Sequence, residues 1–326
     1  MLPGCDCVGS RCDAVRQHVI AHHFDARITR LLRDRWPHFP VVEVDAARSW
    51  QLPAETSVLL SGPSTVWSAA PPNLPDAWPR DLRWIQLPGA GADAYPKWLL
   101  DHHLVTTGRG LNSAPIAEFV MANILAQAKR LPAAWIRRHE DWRKLTMDTV
   151  AGKVLGLLGI GSVGTEIARR ALAFEMRVIA FRLSTDKPML DGVTRAASLA
   201  ELLGAADHLV LAAPYTQDTH HIIDRAALAK VKRGVHVVNV ARGGLIDQDA
   251  LLDALDSGQV GVASLDVTEP EPLPANHPLY THPRVHLSPH VAWNSPGTLD
   301  RLVDKFNENL TRLIAGHPLI DVVNER

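Results

Sequence analysis

One glycine-rich motif constrains the fold of this chain more than any other feature. Gly159, Gly161 and Gly164 follow an apolar run at Val154–Leu158 and open an amphipathic stretch from Ser162 to Phe174. A strand, a tight glycine turn and a helix in this order predict the first unit of a dinucleotide-binding domain. The first glycine permits the turn, the second lets the backbone approach a pyrophosphate, and the third allows close helix–strand packing. The alternative is a glycine-rich turn that binds nothing.

Arg182 occupies the position that indicates which dinucleotide binds. It follows the predicted strand Arg177–Phe181 and lies 18 residues beyond Gly164, where NAD-binding units commonly carry an acidic residue for the ribose 2′-hydroxyl. A guanidinium cannot accept those hydrogen bonds, but it pairs well with a 2′-phosphate. Arg182 and the nearby Ser184 therefore predict that NADP(H) is preferred, with NAD(H) kept as an alternative. Otherwise Arg182 is a solvated loop residue and selectivity is weak.

Short apolar strands alternate with amphipathic helices along most of the chain, which predicts parallel α/β sheets. The expected fold class is a doubly wound Rossmann cofactor domain inserted in a smaller, flavodoxin-like α/β substrate domain. We predict the cofactor domain over 113–291 and the substrate domain over 1–112 and 292–326. A long helical stretch is expected over Ser113–Lys144, broken or kinked at Pro132. The remaining predicted elements are strands at Gln17–His22, Val41–Val44, Ser57–Leu60, Leu82–Leu87, His208–Ala212, Val235–Asn239, Val262–Leu265 and Val285–Leu287, and helices at Asp25–Trp36 and Thr298–Ala315.

Composition and charge exclude several classes of protein. The 326 residues suffice for about two domains, and 34 basic against 35 acidic side chains do not suggest a nucleic-acid partner. No apolar run approaches the roughly 20 residues of a spanning helix, and the N-terminus lacks the regions of a secretory signal. A cytoplasmic protein without a membrane partner is therefore expected. Cys5, Cys7 and Cys12 lie together in one N-terminal tail, so neither a disulfide framework nor a zinc site is predicted.

Three later segments each place a charged side chain shortly after an apolar strand. Arg242 follows the strand that ends at Asn239, Glu271 lies in a proline-rich segment after Leu265, and His290 follows Leu287. Because ligands of a doubly wound sheet bind beyond the carboxyl ends of its strands, the three side chains are expected to converge there. Each also has an ordinary structural interpretation, as a turn-stabilising arginine, a loop acid and a satisfied buried histidine.

These motifs, in this order from about Gln86 to the C-terminus, resemble the D-isomer-specific 2-hydroxyacid dehydrogenases. The resemblance implies a substrate-binding role for Arg242, an acid at Glu271 and an acid/base at His290. It further implies a homodimer formed through the cofactor domain and the Ser113–Lys144 arm. The implied reaction is the NADPH-dependent reduction of a small 2-oxo acid, such as glyoxylate or hydroxypyruvate, to a D-2-hydroxy acid.

The chemistry of these side chains supports the implied roles. A planar guanidinium holds a carboxylate in a forked geometry, and a protonated imidazole can donate to the carbonyl oxygen as hydride reaches the carbon. A carboxylate against the other ring nitrogen would favour the imidazolium of His290. In the family motif the acid directly precedes a Pro-Leu-Pro run, which selects Glu271 over Glu269.

The predicted binding sites follow from the motifs and the resemblance together. Asp266 matches the family position that touches the nicotinamide amide, and the backbone of Gly89–Gly91 resembles the loop that holds the substrate carboxylate. The complete cofactor set is Gly159, Gly161, Ser162, Val163, Gly164, Arg182, Ser184, Pro214, Val240, Ala241 and Asp266, and the substrate set is Gly89, Ala90, Gly91, Arg242 and Trp293.

Some features depart from the family pattern. Trp293 follows His290 where small residues are common, so it could line the substrate pocket or pack between domains. Trp142, at the end of the predicted long helix, could line the site of a partner subunit. Three adjacent histidine pairs have no Cys or acid cluster at ligand spacing, so no metal is predicted.

Two rival functions remain. One is a formate- or phosphite-type dehydrogenase on the same scaffold, and the other is a dinucleotide-sensing corepressor module.

Overall fold

The computed structural model describes residues 18–131, 133–182 and 188–323. Ser184, Pro132 and the three cysteines lie outside these residues. Two compact units divide the chain, one from Met1–Gly108 with Leu299–Arg326 and one from Arg109–Thr298. The predicted boundaries were 112/113 and 291/292, and the assignment of substrate and cofactor roles to the units stays a prediction.

The first unit is a five-stranded parallel sheet in the order β2-β1-β3-β4-β5. This order is that of flavodoxin-like folds. Trp84 of the fourth strand stacks on Phe306 of the C-terminal helix, with ring centroids 5.0 Å apart and both rings fully buried. The elements are β1 (Val19–His22), α1 (Ala26–Arg35), β2 (Val41–Glu43), β3 (Thr56–Leu60), β4 (Trp84–Gln86), α2 (Lys97–His102), β5 (Leu104–Thr106) and, nearly all within this unit, α8 (Thr298–Ile314).

The second unit is a seven-stranded parallel sheet in the order β12-β11-β10-β9-β6-β7-β8. The chain runs outward from β6 to β8 and then returns to β9 on the other side of β6, so the order reverses beside β6. Such a switch point is where doubly wound folds bind ligands. The elements are α3 (Ser113–Ala128), β6 (Val154–Leu158), α4 (Ser162–Ala173), β7 (Arg177–Phe181), β8 (Val193–Arg195), α5 (Leu199–Ala205), β9 (His208–Leu211), α6 (Arg225–Leu228), β10 (Val235–Asn239), α7 (Gln248–Asp256), β11 (Val260–Leu265) and β12 (Val285–Leu287).

The predicted fold class is confirmed, because both sheets are parallel and the seven-stranded one is doubly wound. Every predicted strand is present, four of them with the predicted ends (β6, β7, β10 and β12) and the others with slightly different ones, but β5 and β8 were missed. Each of these two strands has three residues. Among the described residues, no helix is both long and apolar enough to cross a membrane.

The helix predicted over Ser113–Lys144 is wrong beyond Ala128. The amide of Lys129 donates to the Leu125 carbonyl at 2.8 Å, and Arg130 then takes a left-handed backbone with φ of 52°. A residue in that conformation ends a right-handed helix. Between Ala128 and β6, the described residues form only a short 3₁₀ turn at His139–Asp141.

Candidate active site

The glycine turn between β6 and α4 leaves an open cradle at the helix N-terminus. Gly159 has φ of +97°, and a Cβ on it would overlap the Ala212–Ala213 backbone. A Cβ on Gly164 would overlap the Gly159 carbonyl, so this glycine lets the helix lie directly on the turn. A Cβ on Gly161 would meet nothing within 4 Å. Backbone amides at an open helix N-terminus fit a pyrophosphate well.

Arg182 lies beside this cradle, directly after β7. The Gly159 amide donates to the Phe181 carbonyl at 2.8 Å, which joins the glycine turn to the end of β7. Nε and Nη2 of Arg182 are buried and have no hydrogen-bond partner among the described residues. Buried guanidinium donors are costly to leave unpaired. The two nitrogens of Arg182 therefore fit an anionic group such as a 2′-phosphate.

The other predicted cofactor positions follow the neighbouring strands. Pro214 comes three residues after the end of β9, and Val240 and Ala241 directly follow β10. The carboxyl ends of β6, β9 and β10 are adjacent in the sheet. The strand order thus brings these segments to the edge that carries the glycine turn.

Arg242 is held by a buried asparagine that the sequence analysis did not single out. Asn239, at the end of β10, donates from Nδ2 to the Arg242 carbonyl at 2.8 Å and accepts from the Ala241 amide at 3.1 Å. The Arg242 side chain donates from Nη1 to the Ala241 carbonyl at 2.8 Å. A buried amide that bridges its own turn in this way fixes the backbone from which the guanidinium projects.

His290 and Glu271 form a hydrogen-bonded pair. Nδ1 of His290 and Oε1 of Glu271 lie 2.6 Å apart, and both side chains are partly exposed. Partial burial acts to raise the pKa of Glu271, but the hydrogen bond and charge of His290 outweigh it and hold this pKa below its ordinary value, with a smaller contribution from Arg242. The structure thus brings Glu271, and not Glu269, to the imidazole.

Asp266 secures the loop that carries His290. Its carboxylate accepts from Ser288 Oγ at 2.6 Å and from the amides of Val291 and Ala292, each at 2.9 Å. Only 2% of Asp266 is exposed. Both carboxylate oxygens therefore bind this loop, a positioning role that the sequence did not reveal. The predicted contact of Asp266 with the nicotinamide amide stays a prediction.

Trp293 contacts the backbone of His290, and its predicted place in the substrate pocket stays a prediction. Its Nε1–H donates to the His290 carbonyl at 2.8 Å, and His290 itself has a left-handed backbone with φ of 54°. For a residue other than glycine this conformation is uncommon and marks a constrained position. Trp293 and Asp266 together fix the orientation from which the imidazole projects.

The predicted substrate loop, Gly89–Gly91, belongs to the first unit. It follows β4 closely, and the Gly89 carbonyl accepts from the Gly108 amide at 2.8 Å. Ala90 is exposed. A loop after the carboxyl end of a strand, with an exposed residue at its centre, can present backbone amides to an anion.

Trp142 does not end the long helix, as predicted, but follows the 3₁₀ turn at His139–Asp141. Its side chain is 79% exposed. The predicted contribution to a partner subunit stays untested.

The histidine pairs differ from one another. His22 and His23 are buried, and desolvation lowers the pKa of each to about 4, as expected of satisfied core histidines. His220 and His221 are not such a pair. No Cys or acid cluster accompanies them at ligand spacing in the sequence, yet one acid, Glu269, lies beside them in the fold.

Comparisons with known proteins agree on one family. The sequence model described as "D-isomer specific 2-hydroxyacid dehydrogenase, NAD binding domain" matches residues 121–292, just over half of the chain. A D-3-phosphoglycerate dehydrogenase of Bacillus subtilis is 34% identical over 65% of this chain and 41% of its own length. A hydroxypyruvate reductase of Thermotoga maritima is 41% identical over 50% of this chain and 54% of its own length. The chain thus spans about half the length of these two relatives.

A solved structure is similar over nearly the whole chain. An NADPH-dependent glyoxylate/hydroxypyruvate reductase of Sinorhizobium meliloti, crystallised with NADP and sulfate, is 27% identical with a TM-score of 0.79. The match covers 94% of this chain and 98% of that one. Both predicted units therefore have counterparts in one solved protein.

Proposed function

The chain belongs to the D-isomer specific 2-hydroxyacid dehydrogenase family, and we propose that it reduces a small 2-oxo acid to a D-2-hydroxy acid with NADPH. The substrate is of the glyoxylate or hydroxypyruvate class. The observation that carries the proposal is the 2.6 Å pair between His290 Nδ1 and Glu271 Oε1. A carboxylate only accepts hydrogen bonds, so Nδ1 carries the hydrogen and Nε2 remains for the substrate.

His290 is the general acid of the proposed reaction. When bound, NADPH supplies the hydride that reduces the carbonyl carbon. The protonated Nε2 of His290 donates its proton to the oxygen that becomes the hydroxyl, and in the reverse direction Nε2 accepts it. Glu271 stabilises the imidazolium through Nδ1. Asp266 and Trp293 hold the backbone of His290, so that little reorganisation is needed when the proton moves.

Arg242 is the proposed carboxylate-binding side chain. The guanidinium of Arg242 offers paired donors to a planar carboxylate, and Asn239 fixes the turn from which it projects. Trp293 would limit the size of the substrate side chain. Carboxylate binding by the Gly89–Gly91 loop of the first unit stays a prediction.

The proposed cofactor site consists of the glycine turn and Arg182. Gly161 leaves room for the pyrophosphate at the N-terminus of α4, with Ser162, Val163 and the Pro214, Val240 and Ala241 segments along the same sheet edge. The unpaired buried nitrogens of Arg182 favour a 2′-phosphate, which supports NADP(H) over NAD(H). The NADP-bound relative from Sinorhizobium meliloti agrees with this preference.

A panel assay tests the function. Purified protein is mixed with NADPH or NADH and a set of 2-oxo acids, and dinucleotide oxidation is followed by absorbance, with formate and phosphite assayed in the oxidising direction. Turnover of glyoxylate or hydroxypyruvate with NADPH, lost in His290→Ala, is the expected result. Oxidation of formate or phosphite instead, or cofactor binding with no turnover of any substrate, would overturn the proposal.

We also propose a homodimer, formed in part by the segment after α3. Trp135 and Trp142 are 66% and 79% exposed there, and exposed aromatic side chains are typical of interfaces. Light scattering coupled to gel filtration measures the mass directly. A dimer that dissociates in the Trp135→Ser, Trp142→Ser double variant supports the proposal, and a monomeric wild type contradicts it.

A further inference from the structure

His220, His221 and Glu269 form a cluster outside the catalytic pair. One ring nitrogen from each histidine and one carboxylate oxygen lie within 4.8 Å of one another, the one such group of metal-ligating side chains found in the described part of the chain. All three residues belong to the second unit. Glu269 stands two residues before Glu271, yet faces His221 instead of His290.

The backbone explains why two neighbouring histidines lie side by side. Adjacent side chains of an extended chain diverge, but His221 has φ of 49°. Its amide donates to the Gly244 carbonyl at 2.8 Å, which fixes this left-handed conformation. The two imidazole rings consequently stack, with centroids 3.9 Å apart and planes inclined by 23°.

Glu269 packs on the backbone that also binds His221. The Glu269 amide donates to Gln248 Oε1 at 3.1 Å, and a Cβ on Gly243 would overlap the Thr268–Glu269 peptide. Glu269 carboxylate oxygens lie within about 3 Å of the position that a Cβ on Gly244 would occupy. The His221 amide and Glu269 thus both contact the Gly243–Gly244 backbone, which brings the acid to the histidine pair.

The spacing of one pair, His221 and Glu269, suits a shared small cation better than a direct bond. Nε2 of His221 and Oε2 of Glu269 are 3.7 Å apart, beyond normal hydrogen-bond length. Zinc ligands about 2.0–2.1 Å from the metal in tetrahedral geometry are roughly 3.4 Å from each other. His221 and Glu269 are each less than half exposed, which leaves a side open for water ligands.

We propose that His220, His221 and Glu269 bind a divalent first-row transition-metal ion, with Zn²⁺ as the probe. Two imidazole nitrogens and one carboxylate oxygen suit such ions, whereas Mg²⁺ and Ca²⁺ prefer sites built entirely of oxygen. The bound ion ties the His220–His221 turn to the segment that continues into Glu271. This site is separate from the proposed reduction, which needs no metal.

Isothermal titration of tag-free, metal-stripped full-length protein with ZnCl₂ tests the site, with MgCl₂ as the comparison ion. We expect one tight Zn²⁺ per chain and no comparable binding of Mg²⁺. His220→Ala and Glu269→Gln should each weaken Zn²⁺ binding about tenfold or more, since even residues that merely support a metal ligand contribute factors of this size. His221→Asn should do the same while keeping a residue type that tolerates the left-handed backbone.

His102→Ala and His317→Ala are the matched controls. His102 belongs to another adjacent histidine pair and His317 is exposed, and neither is part of the cluster, so both variants should bind Zn²⁺ as the wild type does. Circular dichroism spectra that match the wild type show that each variant is folded. Co²⁺ provides a second readout, because a visible absorption band of the bound ion should appear with the wild type and be lost in His220→Ala. A wild type that binds no Zn²⁺, or a His220→Ala variant with unchanged affinity, would overturn the proposal.

Discussion

Nδ1 of His290 and Oε1 of Glu271 lie 2.6 Å apart, although 19 residues separate them in the chain. The hydrogen bond assigns the two ring nitrogens different tasks, because the nitrogen bound to Glu271 is not available to a substrate. It also lowers the pKa of Glu271 against the opposing effect of partial burial. The carboxylate therefore stays ionised to a lower pH than an ordinary glutamate.

Replacing Glu271 by Gln should change how the rate depends on pH. In the wild type the acid limb of kcat/KM due to Glu271 should lie below the ordinary range of a glutamate, because its pKa is lowered. Gln carries no titratable group at this position, so that limb should disappear in the variant. Steady-state rates across pH measure the limb in both enzymes.

Glu55→Gln provides the control for this change, because Glu55 is exposed in a loop of the first unit. A Glu271→Gln enzyme with the wild-type pH profile would show that the pair of Glu271 and His290 does not govern proton transfer.

Replacing His290 by Ala removes the proposed general acid, so it should lower kcat on the order of 10²–10⁴-fold.

Replacing Arg182 by Ala should weaken the use of NADPH selectively. A charge-assisted hydrogen bond contributes about 1.5–3 kcal/mol, so kcat/KM for NADPH should fall by about tenfold or more while that for NADH changes little. Arg177→Ala is the matched control, because Arg177 begins the strand that Arg182 follows and is exposed. Equal losses with both dinucleotides would contradict a 2′-phosphate contact.

Features set by neighbouring residues could be predicted from the sequence. The glycine turn after Val154–Leu158 and ten of the strands were identified, because hydrophobic periodicity and turn residues are local signals. The end of α3 at Ala128 was not identified. Apolar residues continue beyond it, but the backbone of Arg130 is left-handed and ends the helix. The three-residue strands β5 and β8 depend on sheet neighbours for their existence.

Side-chain contacts with the backbone of distant segments could not be predicted. Asp266 binds amides at 291 and 292, and nothing in its local sequence shows this. The side chain of Glu269 lies 3.7 Å from that of His221, which is 48 residues away in the chain. The left-handed backbone of His221 stacks its ring on that of His220, so the acid meets both histidines. In both cases the packing of the sheet edge brings the groups together, so the signal lies in the tertiary structure.

Replacing Trp293 by Phe tests whether the indole positions His290. The ring is retained but the Nε1–H that donates to the His290 carbonyl is lost. One such bond contributes about 1 kcal/mol, so kcat should fall about fivefold with KM for the 2-oxo acid little changed. Trp36→Phe, which likewise loses an Nε1–H donor, to Asn307 of the first unit, is the control. An unchanged kcat with an altered KM would assign Trp293 to the substrate pocket instead.

The buried His23 should make the stability of the first unit depend on pH. The Gly62 amide donates to Nδ1 at 3.1 Å, so the hydrogen lies on Nε2, which donates to the Ser49 carbonyl at 3.0 Å. Protonation would set an N–H at Nδ1 against the Gly62 N–H. Burial is the main reason that the pKa of His23 is lowered to about 4.

The sign of the effect follows from proton uptake. Between pH 6.5 and about 4 the unfolded chain protonates this histidine and the folded chain does not, so the free energy of unfolding should fall as the pH falls through that window. The loss from His23 alone reaches about 3 kcal/mol at 1.36 kcal/mol per pH unit.

Urea unfolding of the wild type and of His23→Gln at several pH values measures how the free energy of unfolding depends on pH. The unfolding is followed by the fluorescence of Trp67 and the neighbouring tryptophans of this unit. The variant should be less stable near pH 7 but lose less stability on acidification, whereas His317→Gln should keep the wild-type slope. A wild-type stability that is flat from pH 6.5 to 4, or a slope that His23→Gln leaves unchanged, would show that His23 is not held neutral in the fold.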